Sequence, residues 1–191
     1  KMAEGESYFS IGSFAAGPDN ELLAYSVDTV SRRLYTVYVK NIATGELYAD
    51  TLTDTTGQVY WANDNQTLFY TRQHPTTLRS YQVYRHTCGQ DVSTDELVYE
   101  EKDDEFNCGV GKSRSKRYVL IGSSHTLTTE YHYLDADHPS GPFTVFLARE
   151  RGHEYHIDHY RDRFYIRSNA GAKNFRLIET DTLRVGRDDW R

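Results

Sequence analysis

The chain has 191 residues, of which 38% are hydrophobic and 14% aromatic, with 16 Tyr and 8 Phe against 4 Pro and 1 Met, and its 22 Lys+Arg and 28 Asp+Glu give a formal charge of −6. A compact chain of this size buries roughly 70% of its unfolded surface, enough for a real core, and ring-bearing side chains suit a pleated, half-buried surface, so the composition leans towards strands. The acidic balance excludes the concentrated basic face of a nucleic-acid binder. No run approaches the 18 apolar residues of a membrane span and no export signal is visible, so the expectation is a soluble, cytoplasmic chain with basic partners, no nucleic acid and no membrane.

From Ile11 onward, short apolar runs rich in β-branched and aromatic residues alternate with turn clusters: "IGSFAA", "GPDN", "LLAYSVD", "RRLYTVYVK", "ATGE", "LYADTL". That reads as four strands and three connections. The order recurs in "QVYWA", "NDNQ", "TLFYTRQH", "YQVYRHTC", "GQDVSTDE", "LVYEE", with Asn, Asp and Gly again at the reversals. A third module runs "CGVGKS", "RSKR", "YVLIGSS", "EYHYLDA", "DHPSG", "PFTVFLA", and a fourth begins "YHIDHY", "RD", "RFYIRSN", "FRLIETD".

Anchored on their first turns at Asp19, Asp64, Arg114 and Arg161, the modules recur at intervals of 45, 50 and 47 residues. That is the period of a four-stranded propeller blade. The expected fold is all-β, with blades over about 8–55, 56–104, 105–150 and an incomplete 151–191. Within "RLYTVYVK", Tyr35, Val37 and Val39 alternate with Leu34, Thr36, Tyr38 and Lys40, the mixed pattern of a sheet sandwiched between sheets. The one helix-like stretch, "STDELVYEEKDDEF", crowds its charges at one end and reads as a strand followed by an acidic loop.

Three and a half to four blades would leave sheet faces and strand edges open, because such repeats bury their apolar sides against neighbours and a propeller protects its edges by closing. The sequence is therefore expected to be a piece of a longer polypeptide, and one that self-associates through its open blade edges.

Several local patterns invite sharper readings. Cys88 and Cys108 are twenty residues apart with no zinc spacing and read as a pair of reduced thiols. The sequon Asn65-Gln66-Thr67 sits in a turn and carries little weight. His153, His156 and His159 recur every third residue, but on a strand that spacing turns His156 to the opposite face, so no metal is expected. Gly109-Val110-Gly111-Lys112-Ser113 resembles a phosphate loop whose first glycine is missing, since Phe106 holds that position, and it reads as a hairpin. Trp61 and the tyrosines read as packing residues rather than base-stacking platforms.

Four stretches carry a family resemblance: "RQHPTTLRSYQVYRH" (Arg72 to His86), "LVYEEKDDEF" (Leu97 to Phe106), "HEYHIDHYRDRFYIRSN" (His153 to Asn169) and "KNFRL" (Lys173 to Leu177). With the first module, they resemble the propeller domain of the oligopeptidase B (protease II) branch of the prolyl oligopeptidase family of serine peptidases. The resemblance implies a seven-bladed propeller joined to a C-terminal α/β-hydrolase domain that cleaves short peptides after Lys or Arg. It also implies that the propeller gates access and excludes folded proteins, and that no cofactor is used. No G-x-S-x-G occurs in this sequence, so no catalytic residue is assigned and the chain is expected to be inactive alone.

An acidic lining would suit basic oligopeptide substrates. The resemblance further implies salt bridges between the propeller and catalytic domains. Glu100, Glu101, Asp103 and Asp104, in the most acidic run of the chain, are the candidates for substrate gating or interdomain contact, set against a solvated loop with no such contact. The rival reading of the whole chain is a stand-alone β-repeat module that binds a protein partner. Extending the reading frame separates the two, since only the peptidase reading requires a downstream G-x-S-x-G followed by Asp and His.

Overall fold

A computed structural model describes residues 2–191. Seven strands, β1 (Ser10–Ala16), β2 (Leu22–Asp28), β3 (Tyr35–Asn41), β4 (Leu47–Trp61), β5 (Thr67–Gln73), β6 (Ser80–Thr87) and β7 (Glu96–Glu100), follow one another in a single antiparallel sheet. A second sheet has the order β11-β10-β9-β8, built from β8 (Asn107–Lys112), β9 (Tyr118–His125), β10 (Thr128–Asp135) and β11 (Thr144–Leu147). A third holds β12 (Tyr155–Tyr160), β13 (Arg163–Ser168) and β14 (Arg176–Asp181). The described residues contain no α-helix, only short 3-10 turns at Val92–Thr94 and Arg187–Asp189, so the chain is all-β as its composition and periodicity predict.

The seven-stranded sheet is two four-stranded units that share β4. Its first half pairs with β3, as in Leu52 opposite Val37, and its last residues pair with β5, as in Val59 opposite Tyr70. Thr55 faces Tyr35 on one side and Arg72 on the other. "LYADTL" and "QVYWA" are thus one continuous strand, although they read as two in the sequence. Gly57 makes the crossing possible: its φ is +90°, and a Cβ there would lie 2.8 Å from the Tyr35 ring. The Gly57 carbonyl accepts the hydroxyls of Ser13 and Ser26, each at 2.6 Å, which pins the switch point to β1 and β2.

Strand parity then stacks the units. On β5, Leu68 and Tyr70 enter a core with Ala24, Val37, Val39 and Trp61, while Phe69 points the other way into a core with Val83, Val110 and Ile121. On β9, Val119 and Ile121 join that second core, and Tyr118 and Leu120 join a third with Phe146, Tyr155, Phe164 and Ile166. Central strands are therefore buried on both faces, the arrangement anticipated from the mixed alternation. The two end sheets each have one uncovered side: Phe14 on β1 is 76% exposed and Leu177 on β14 is 73% exposed.

The turns that lead into β2, β5, β9 and β13 repeat one backbone device. Asn20, Asn65, Lys116 and Arg161 all have φ between 57° and 64°, and each lies two residues before the next strand. Asn tolerates this left-handed conformation readily and Lys and Arg do not, so the repeat persists in the backbone where the residue type has drifted.

Candidate functional site: an arginine-clamped acidic loop

Residues 101–106 connect β7 to β8 and so carry the chain from the first sheet to the second. The loop is held down by arginines at both sides. Arg79, from the β5–β6 connection, donates through Nε to the carbonyl of Phe106 at 2.9 Å and through Nη2 to the carbonyls of Glu101 at 2.8 Å and Asp103 at 2.5 Å. Its Nη1 also lies 3.6 Å from the carboxylate of Asp104, which is 98% exposed. Arg149, beyond the end of β11, stacks its guanidinium over Phe106 at 4.1 Å and donates to Glu101 Oε2 at 2.5 Å and Glu130 Oε1 at 3.3 Å.

The four acidic candidates meet different fates. Glu101 is buried at 4% exposure, and its carboxylate also accepts hydrogen bonds from the Tyr99 hydroxyl at 2.9 Å, the Asp103 amide at 3.0 Å and the Ser123 hydroxyl. Burial by itself would raise the Glu101 pKa. Arg149, Ser123 and the Asp103 amide outweigh it and hold the carboxyl at about 2. Glu130 is likewise at about 2: burial opposes ionisation, and His132 at 3.1 Å and Arg149 override it. Arg149 rises above its ordinary value, burial being outweighed by Glu101 and Glu130.

Glu100, Asp103 and Asp104 remain exposed. Glu100 accepts from the Gln82 amide at 2.9 Å, and Asp103 accepts from the Glu105 amide at 3.0 Å. The arrangement is a buried ion cluster that locks the two sheets together and presents a fringe of carboxylates to solvent. The sequence run showed six charged residues in a row; it did not show Arg79, Arg149, Glu130 and His132 gathered around them from 70 residues of chain.

Two serine–histidine pairs lie elsewhere, His153 Nε2 to Ser168 Oγ and His159 Nδ1 to Ser115 Oγ, each at 2.8 Å. Both histidines are buried, with pKa values lowered chiefly by that burial. Their second ring nitrogens, His153 Nδ1 and His159 Nε2, have no partner, so neither pair has the orienting carboxylate of a hydrolytic triad. His156 is exposed and points away from both, as strand parity predicts. Cys88 and Cys108 are free thiols, each pushed up to about 12, chiefly by burial. Gly109 to Lys112 lie on β8 rather than in a loop, and Ser113 opens the turn that follows.

Consecutive antiparallel units of about four strands, stacked face to face through shared cores, define part of a β-propeller. The chain belongs to the prolyl oligopeptidase family: residues 1–191 match "Prolyl oligopeptidase, N-terminal beta-propeller domain" over their whole length. It is 42% identical to dipeptidyl aminopeptidase BI of Pseudoxanthomonas mexicana over 100% of this chain and 26% of that protein. It is 35% identical to Protease 2 of Moraxella lacunata over 93% of this chain and 26% of that protein. Among solved structures, oligopeptidase B from Leishmania major superposes with a TM-score of 0.88 at 29% identity, covering 94% of this chain and 26% of that one. The chain thus spans about a quarter of the length of the relatives it matches. In peptidases of this family the propeller packs against a C-terminal α/β-hydrolase domain.

Proposed function

We propose that the chain is the non-catalytic propeller segment of a cytoplasmic serine oligopeptidase of the oligopeptidase B type, which cleaves short peptides after Lys or Arg. The segment gates substrate access and excludes folded proteins. The observation that carries this reading is the exposed carboxylate fringe of Glu100, at the end of β7, and of Asp103 and Asp104, on the loop that Arg79 and Arg149 hold in place, in a chain similar to Protease 2 and to an oligopeptidase B. A fixed negative fringe concentrates cationic peptides near the site it surrounds and contributes to their approach rate. Its other role is to meet basic side chains of the hydrolase domain, with Glu101 holding the loop in place from inside.

A second reading follows from the identity to dipeptidyl aminopeptidase BI: the parent enzyme releases dipeptides from free N-termini. The two are separated by assaying the full-length peptidase on internally placed Arg or Lys bonds in N-terminally blocked peptides and on unblocked peptides of equal length. Turnover of the blocked peptides that falls when Asp103 and Asp104 are changed to Asn, more steeply at low salt, supports the oligopeptidase reading. Turnover confined to unblocked peptides overturns it. A reading frame that ends after further blades with no G-x-S-x-G would instead establish a stand-alone interaction module.

A further inference from the structure

At the opposite end of β8 from the acidic loop, where β1, β4 and β8 finish, there is an open pocket of about 490 Å³. Lys112, Arg114 and Lys116 line it from the second sheet, and Asn20 and Asn63 from the first. No Asp or Glu lines this pocket, although the chain carries a net charge of −6. We propose that the pocket is a binding site for a small oxyanion, a peptide carboxylate or a phosphate, seated on the Lys112 ammonium.

The geometry of Lys112 supports this assignment. Its ammonium donates to the Trp61 carbonyl at 2.7 Å and to Asn63 Oδ1 at 2.6 Å, both neutral acceptors. Among the described residues no carboxylate forms an ion pair with it. The two nearby acids act on it only through space: Asp64 accepts the Thr67 hydroxyl at 2.6 Å and Asp137 the Asn63 amide at 2.7 Å, and neither hydrogen-bonds Lys112. Lys116 has no ion pair either, and Arg114 meets Asp158 only at 3.5 Å with its side chain 92% exposed.

An ammonium has three donors, so one N–H of Lys112 remains unspent. A half-buried cation that has surrendered water for neutral oxygens is under-compensated, and an anion entering the pocket offsets that loss. The same imbalance shows in its acidity: burial first, and the charge of Lys116 second, outweigh Asp137 and Asp64 and hold the Lys112 amine at about 8. It is still largely protonated at neutral pH and therefore able to receive an anion.

The pocket does not depend on which bond the parent enzyme cuts. It is tested on the 191-residue chain by NMR titration with three probes: an N-acetylated dipeptide with a free C-terminal carboxylate, the same dipeptide as its C-terminal amide, and inorganic phosphate. The readouts are the Lys112 side-chain and Lys116 amide resonances. Saturable shifts with the carboxylate or with phosphate, absent with the amide and weakened at least about tenfold in Lys112→Met, support the proposal. The probe that binds identifies the source of the oxyanion.

Lys116→Gln, which leaves the Lys112 hydrogen bonds in place, keeps the test decisive if Lys112→Met unfolds, and it too should weaken binding. The amide binding as well as the acid, no probe shifting these resonances, or Lys116→Gln binding unchanged would each overturn the proposal. A further readout is an upward move of the Lys112 titration midpoint when the anion is present. No move at saturating anion would also overturn it.

Discussion

His86 Nε2 lies 2.6 Å from Asp50 Oδ1, joining β6 to the part of β4 that belongs to the preceding four-stranded unit. Its other nitrogen is 2.6 Å from Asp95 Oδ1, and Asp95 in turn accepts the Tyr70 hydroxyl at 2.7 Å. The imidazole is wholly buried, so a histidine held between two carboxylates spans the seam between the units.

The seam should therefore depend on pH. Burial alone lowers the His86 pKa, but Asp95 and Asp50 outweigh it, and the folded value stands above 6.5. A folded pKa above the unfolded one gives stability that is complete below about 6.5 and is lost as pH rises through the folded value. His86→Asn should cost about 3–5 kcal/mol at acid to neutral pH, since it strands two buried carboxylates. In urea unfolding, the gap between wild type and variant should narrow as the solution is made alkaline. A gap of constant size across that range would show that the ring is not charged.

The Glu101 cluster should act with the opposite sign. Its folded pKa, about 2, is below the ordinary 4.5, so its contribution is present above pH 4.5 and disappears as pH falls towards 2. Glu101→Gln removes the charge facing Arg149 and should destabilise the chain by about 3 kcal/mol at neutral pH. The same variant should lose stability more gently on acidification, by about one proton's worth of slope. Equal acid slopes in wild type and variant would count against a charged Glu101.

Two left-handed positions should respond to substitution in opposite directions. Gly57→Ala drives a Cβ against the Tyr35 ring at an unfavourable φ and should cost about 2–3 kcal/mol. Arg161→Gly relieves a φ of 57° in an exposed turn and should be neutral to stabilising, by up to about 1 kcal/mol. Thermal melts of the two single variants decide both, and Gly57→Ala melting at the wild-type temperature would contradict the role given to that crossing.

The uncovered end faces should make the 191-residue chain associate with itself as concentration rises. Light scattering should report a growing mean mass for wild type and the mass of one chain for a Phe14→Ser, Leu177→Lys double variant. A wild type that stays at one-chain mass throughout would show that these faces do not find each other.

Most of the scaffold could be read from the sequence, because turn chemistry and alternation are local. Gly17-Pro18-Asp19-Asn20 and Asn63-Asp64-Asn65 announce reversals, and the parity of Leu68, Phe69 and Tyr70 assigns them to opposite faces before any partner is known. The same parity turns His156 away from His153 and His159. What escaped notice was set by distant chain. Thr53 to Gly57 has the composition of a turn and does carry positive φ at Asp54 and Gly57, but the pairing of Thr55 with both β3 and β5 carries the strand through it. Glu101 sits in a run that reads as solvated, and its burial depends on Arg149, 48 residues further on.

The shared strand β4 also sets how this architecture can be cut. A boundary drawn between the first two four-stranded units falls inside Leu47–Trp61, where severing the chain splits the strand that closes one unit and opens the next. The segment that can be exchanged intact between homologous chains is therefore out of step with the two units of this sheet. A workable splice lies in the β3–β4 connection, so that the transplanted cassette carries the whole shared strand together with the second unit, and chimaeras joined within β4 should fail to pair on both sides.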